Sequence, residues 1–199
     1  MLLVFGLRGT LLERLAIAET PTAVSRPPSH VFAKYNVWAR PGVTGVLEKL
    51  AVTCDLAIWS ATLQRNTTPL VNLVFPTIPF KFVWHRDQTV PDTLRRGMAT
   101  RDDDRHEAHA ILKPMSRIYS DNPMYSAMRT INVDDGCYKT RQDVGNMLLL
   151  PTYDIECVAK EVVGATTTDP VLEKMRLVIE ESLVGLTDVR TVLPRMVFI

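Results

Sequence analysis

Four short polar clusters in this chain have the residue types to do chemistry. They are Arg8-Gly9-Thr10, Ser60-Ala61-Thr62, Lys113 and Asp134-Asp135. Three of them stand at or just past the ends of strand-like runs: Met1 to Phe5, Cys54 to Ser60 and Arg129 to Val133. Such runs read as buried strands, and in an open parallel sheet the carboxyl ends of the strands converge on one crevice where a ligand binds. Hydroxyls, cations and carboxylates gathered there would make a ligand site. Taken singly each signal is weak: a hydroxyl after a strand is usually a cap, and Asp-Asp-Gly is usually a turn. One absence is sharper. No carboxylate precedes Glu13, so the loop after the first strand offers hydroxyl and cation but no acid.

The elements that must position these clusters alternate. The first strand is followed by a loop, Glu19 to Ser29, carrying Pro21, Pro27 and Pro28. Val31 to Trp38, β-branched and aromatic at alternate points, predicts one short strand. Arg40-Pro41-Gly42-Val43 opens a helix whose face is Val43, Val46, Leu47 and Leu50, with the proline suited to a first helical turn. Cys54 to Ser60 predicts a second buried strand parallel to the first. A helix over 62–74, strands over 80–84 and 129–133, and a short apolar run over 147–150 follow. Thr168-Asp169-Pro170 is a strong cap for a closing amphipathic helix through Leu183. Strand and helix in alternation predict an α/β fold with a mainly parallel sheet.

Bulk properties set wider bounds. The chain has 199 residues and a net charge of +1, with 46% hydrophobic residues. That suits one domain over 1–199, with the Pro-rich loop at 19–29 and a polar insertion at 85–110. Basic residues do not cluster and no RNA-recognition motif is present. No apolar run approaches the ~20 residues of a membrane span. No signal peptide or presequence is evident at the N-terminus. Cys54, Cys137 and Cys157 have no metal-ligand spacing and read as buried thiols in a reducing compartment. His106 and His109 beside Asp102 to Asp104 permit a metal site on paper, but a solvated polar segment is the simpler reading. Trp38, Trp59 and Trp84 read as core or interface anchors.

In order and spacing, the clusters resemble the haloacid-dehalogenase superfamily. Within it they resemble the phosphatases acting on the RNA polymerase C-terminal domain (the FCP/SCP, NIF-like branch), which also includes the receptor subunit of the mitochondrial presequence translocase. Arg40-Pro41-Gly42-Val43 resembles that branch's helix start, and Leu56 to Thr62 its second motif, with Ser60 in the phosphate-binding position. Lys113-Pro114-Met115-Ser116-Arg117-Ile118 resembles the segment of the phosphate-neutralising lysine, and Val133-Asp134-Asp135-Gly136 the acidic fourth motif. Leu150 to Asp154 and Asp188 to Leu193 also fit, the latter closest to the translocase receptor. The resemblance implies a HAD-like, Rossmann-like three-layer fold.

The departure lies in the first motif. The family carries Asp-x-Asp-x-Thr there: a nucleophile that also holds magnesium, then a general acid and base. Here Gly6 and Arg8 stand in those positions and only Thr10 remains. Glycine has no side chain to attack phosphorus, and a guanidinium cannot shuttle a proton. The expectation is therefore a degenerate site (Gly6, Arg8, Thr10, Ser60, Lys113, Asp134, Asp135) with no catalytic residue, no metal and no cofactor. Arg8 is expected to pair with Asp134 or Asp135. The expected role is a structural or protein-interaction subunit of a larger assembly, in contact with other protein subunits and, through them, with RNA. By resemblance that assembly is mitochondrial, of ribosome, ribosome-assembly or translocase type; otherwise the protein is soluble and intracellular. Two alternatives stand beside it. One is a non-hydrolysing phosphopeptide or anion binder using Arg8, Ser60 and Lys113. The other is an active phosphatase with a non-standard nucleophile.

Overall fold

The computed structural model describes residues 1–94, 111–161 and 168–193. Its strands are β1 (Leu2–Phe5), β2 (Leu12–Ala16), β3 (His30–Phe32), β4 (Tyr35–Ala39), β5 (Asp55–Trp59), β6 (Phe80–Trp84), β7 (Val90–Pro91), β8 (Ile111–Leu112), β9 (Thr130–Asp134) and β10 (Met147–Leu149). Its helices are α1 (Val43–Leu50), α2 (Gln64–Val74), α3 (Ser116–Asp121), α4 (Ile155–Lys160) and α5 (Pro170–Val178).

Five strands form a wholly parallel sheet in the order β10-β9-β1-β5-β6. β1 lies at its centre, pairing Leu3 with Leu56 on one side and with Ile131 on the other. A central parallel strand is covered on both faces, which is why Leu2 to Phe5 is apolar without alternation. Leu3, Phe5, Leu56 and Ile58 face a core closed by α1, α2 and α5. Leu2, Val4, Ala57 and Trp59 face the opposite side, closed by Met115 and Ile118 around α3. The result is the three-layer α/β arrangement expected. Trp38 and Trp59 are buried, and Trp84 meets Trp59 edge-on with ring centroids 5.0 Å apart.

Several boundaries differ from the sequence reading. Val31 to Trp38 is not one strand: β3 and β4 form a hairpin around Ala33, whose φ is +52°. No Asn-Gly or Gly-x pair marks that turn, so the sequence hides it. β2, which the sequence reading lacked, joins them in a three-stranded antiparallel sheet. Helix α1 starts at Val43, after Gly42 at φ +73°, so Pro41 precedes the helix instead of filling its first turn. A Cβ on Gly42 would lie 2.8 Å from the Thr168 Cα, a close approach only glycine allows. Asp169 caps α5 as expected, its carboxylate accepting from Val171 N at 2.7 Å with Pro170 at the first helical position.

Of the thiols, only Cys54 is buried, packed in the core just before β5; Cys137 is exposed in the turn after β9 and Cys157 half-buried on α4. Within the polar insertion, β7 pairs antiparallel with β8, which follows the insertion. Asp102 to Asp104, His106 and His109 lie outside the described residues. Among the described residues no helix is long and apolar enough to cross a membrane.

Candidate functional site

The carboxyl ends of β1 and β9 finish level, with Gly6 N donating to Val133 O at 2.8 Å. From there residues 7–12 make a tight loop: Leu11 N and Leu12 N both return to Leu7 O, and Gly9 turns at φ +82°. That geometry drops the buried Thr10 back beneath the loop. Thr10 Oγ1 donates to Asp135 Oδ1 at 3.4 Å, so β1's loop and β9's end are joined by side chains as well as backbone.

Asp134 ends β9 and is 1% exposed. A buried carboxylate must be paired or neutralised. Lys113 Nζ, also 1% exposed, donates to its Oδ2 at 2.6 Å. Its Oδ1 accepts from Gly136 N at 3.2 Å and Lys139 Nζ at 3.4 Å. Burial alone would raise the Asp134 pKa, but the charges of Lys113 and Lys139 outweigh it and hold the carboxyl below its ordinary range. For Lys113, burial lowers the pKa against the opposing pull of Asp134. Lys139 moves the other way: burial lowers it, yet Asp134 and its neighbours prevail and raise it. Asp135 is different. Burial, then the hydrogen bond and charge of Asp134, push its carboxyl up to about 6. Thr152 Oγ1 donates to its other oxygen at 3.2 Å.

Of the residues expected here, the structure thus brings Gly6, Thr10, Lys113, Asp134 and Asp135 together. Two go elsewhere. Arg8 does not pair with Asp134 or Asp135. Its Nη2 and Nε donate to Glu13 Oε1 at 2.8 and 3.1 Å. The reason is local: a bridge between Arg8 and Leu12 sets Glu13 beside it, and Glu13, with a side chain 3% exposed, needs a cation. Burial raises the Glu13 pKa, and Arg8 opposes that. Asp134 already has two ammonium partners. Ser60 is buried, but its Oγ shares a hydrogen bond with Thr62 Oγ1 at 2.9 Å and accepts from Thr62 N at 3.1 Å. Thr62 continues to Thr67 Oγ1 at 2.7 Å, so the hydroxyls form a chain at the start of α2.

Sequence reasoning missed Lys139, Glu13 and the full role of Arg40. Lys139 lies four residues after Asp135, a spacing that signals a pair only once the intervening turn is known. Arg40, read as a helix-start marker, is 3% exposed and works as a clamp. It donates to Asp169 Oδ2 at 2.7 Å and to Thr10 O and Pro151 O at 3.3 Å each, and lies over the Tyr153 ring. One side chain therefore holds the site loop, the segment after β10 and the cap of α5.

The model of the NLI interacting factor-like phosphatases matches residues 1–190. The chain belongs to that family. Among solved structures, it is similar to Fcp1, an essential RNA polymerase II CTD phosphatase, with a TM-score of 0.61 and 13% identity over 97% of this chain and 69% of that one. It is also similar to a fission yeast Fcp1 variant bound to beryllium fluoride, with a TM-score of 0.53 and 14% identity over 91% of this chain and half of that one. At those identities the likeness shows the fold. None of the curated proteins compared matches the chain.

For this member of the NLI interacting factor-like phosphatases, the magnesium its resemblance implies fits poorly. A Cβ on Gly6 would lie 2.6 Å from Thr10 Oγ1 and 2.9 Å from both Cγ and Oδ2 of Asp134. The space a first-motif carboxylate would need is filled. The remaining acid pair already carries two ammonium groups, whereas Mg²⁺ wants open oxygen ligands in near-octahedral array.

Proposed function

We propose that this protein is a catalytically silent phosphatase-fold chain that serves as a structural or interaction subunit of a larger assembly. One observation carries the reading: where the family's nucleophile would stand, Gly6 leaves room that Thr10 and Asp134 occupy. No side chain at position 6 can attack phosphorus. Arg8, in the position of the general acid and base, is engaged by Glu13, and a guanidinium is no substitute for a carboxylate there. Lys113, which the resemblance assigns to phosphate, has its charge taken up by Asp134. The same engagements of Arg8, Ser60 and Lys113 weigh against the anion-binding alternative.

With chemistry set aside, the surfaces carry the function. The Pro-rich loop at 19–29 is mostly exposed yet fastened from beneath. Arg26 reaches Ala39 O, Tyr153 OH and Glu161, and its own carbonyl accepts from Trp38 Nε1 at 3.1 Å. A loop held in one shape loses little entropy on docking, which suits a contact surface. The polar insertion at 85–110 is the second proposed contact region, on the strength of its polar sequence. The resemblance to the translocase receptor favours a mitochondrial assembly of translocase, ribosome or ribosome-assembly type.

The test is isolation of the native protein under mild conditions, followed by sedimentation and identification of what travels with it. Co-migration with a large particle is the expected result. A monomer with no partner, sedimenting alone at physiological salt, would contradict the proposal.

A further inference from the structure

The Asp134–Asp135 pair raises a question of charge that the silent reading leaves open. Two adjacent carboxylates at the end of a buried strand need compensation, and in a magnesium-dependent relative the ion would provide it. Here Lys113 Nζ is 2.6 Å from Asp134 Oδ2 on one side of the pair. On the other, Lys139 Nζ is 3.4 Å from Asp134 Oδ1 and 3.9 Å from Asp135 Oδ1, bridging both acids with a side chain 15% exposed. Gly136, between the acids and Lys139, donates its N–H to Asp134 Oδ1 and closes the turn.

We infer that Lys139 is a resident counter-cation that does for Asp134 and Asp135 the charge-balancing work of a divalent ion, so that this protein folds without magnesium and does not take it up here. Two carboxylates and two ammonium groups balance, and a divalent ion would meet a neutral cluster whose oxygens are already engaged. Arg8, which the sequence offered for this task, is committed to Glu13. The cation instead comes from the turn after β9, within reach of both acids. The inference rests on the silent reading of the site, but concerns what keeps it folded and not whether it turns over.

The experiment is thermal unfolding of the full chain in chelator and in millimolar magnesium, for wild type, Lys139→Arg and Lys139→Met. Wild type and Lys139→Arg are expected to melt at the same temperature in both. Lys139→Met is expected to melt lower in chelator and to regain part of the loss in magnesium. A wild-type melting temperature that rises with magnesium, or a Lys139→Met variant indifferent to it, would overturn the inference. Should Lys139→Met fail to fold, manganese added to wild type decides. Undisturbed Gly6, Thr10 and Gly136 amide signals support the inference, and selective broadening of them overturns it. Phosphate release, measured separately, bears on the silent reading alone.

Discussion

Lys113 and Asp134 form an ion pair at 2.6 Å in which each side chain is 1% exposed. Removing one partner of such a pair strands a buried charge and costs about 3–5 kcal/mol, while replacing both with neutral groups costs far less. Lys113→Met is therefore expected to be strongly destabilised. The double variant Lys113→Met/Asp134→Asn should recover a large part of the loss. Denaturant unfolding of both variants checks this, and additive losses would remove the coupling.

Gly6 and Gly45 make opposite predictions. A methyl at Gly6 enters the space of Thr10 and Asp134, both short and buried, so Gly6→Ala should cost about 1–3 kcal/mol by overpacking. Gly45 lies exposed in α1 with nothing within 4 Å of a built Cβ. Gly45→Ala should stabilise by about 0.4–1 kcal/mol. Melting temperatures should move in opposite directions, by roughly 2–4 °C per kcal/mol for a chain of this size.

Asp135 predicts a pH dependence. Burial, then Asp134, raise its pKa from 3.8 to about 6 in the folded chain. In that interval the folded chain keeps a proton that the unfolded chain has released, so stability falls as pH rises from roughly 4 to 6. Asp134 acts with the opposite sign. Its pKa is lowered, so its contribution is present above the unfolded value and is lost as pH falls below roughly 4. Asp135→Asn should flatten the slope between those limits and leave the acid limb intact. Urea midpoints measured across that range test this.

Arg40 predicts a difference between two cations. Arg40→Met breaks the buried pair with Asp169 and should cost about 3–5 kcal/mol. Arg40→Lys keeps the charge but cannot span Asp169, Thr10 O and Pro151 O together, so it should fall between wild type and Arg40→Met. Equal melting temperatures for wild type and Arg40→Lys would contradict the clamp.

The centre of the parallel sheet was readable because β1 is buried on both faces and carries an unbroken apolar run, Leu2 to Phe5. The Asp169 cap was readable because Asp-Pro is a local signal. What stayed hidden depends on tertiary context. The hairpin at Ala33 uses a residue with no turn preference, and β2 is only half buried, so its pattern is weak. At the site, the loop after β1 and the Asp134-Asp135 pair meet as the neighbouring ends of β1 and β9 imply, and Lys113 joins them from the segment after β8, while Ser60 bonds within its own loop. Their pairings did not follow from charge type: Arg8 went to Glu13 because a loop bridge placed them together, and Lys139 came from a turn that no pattern predicts.

Phosphate release measures most directly whether Gly6 and Arg8 leave the proposed silent site without chemistry. The purified chain is incubated with magnesium and either an aryl phosphate or a phosphoserine peptide. Release no faster than in the protein-free control is the predicted result. Magnesium-dependent release that disappears in Asp134→Asn would contradict the account.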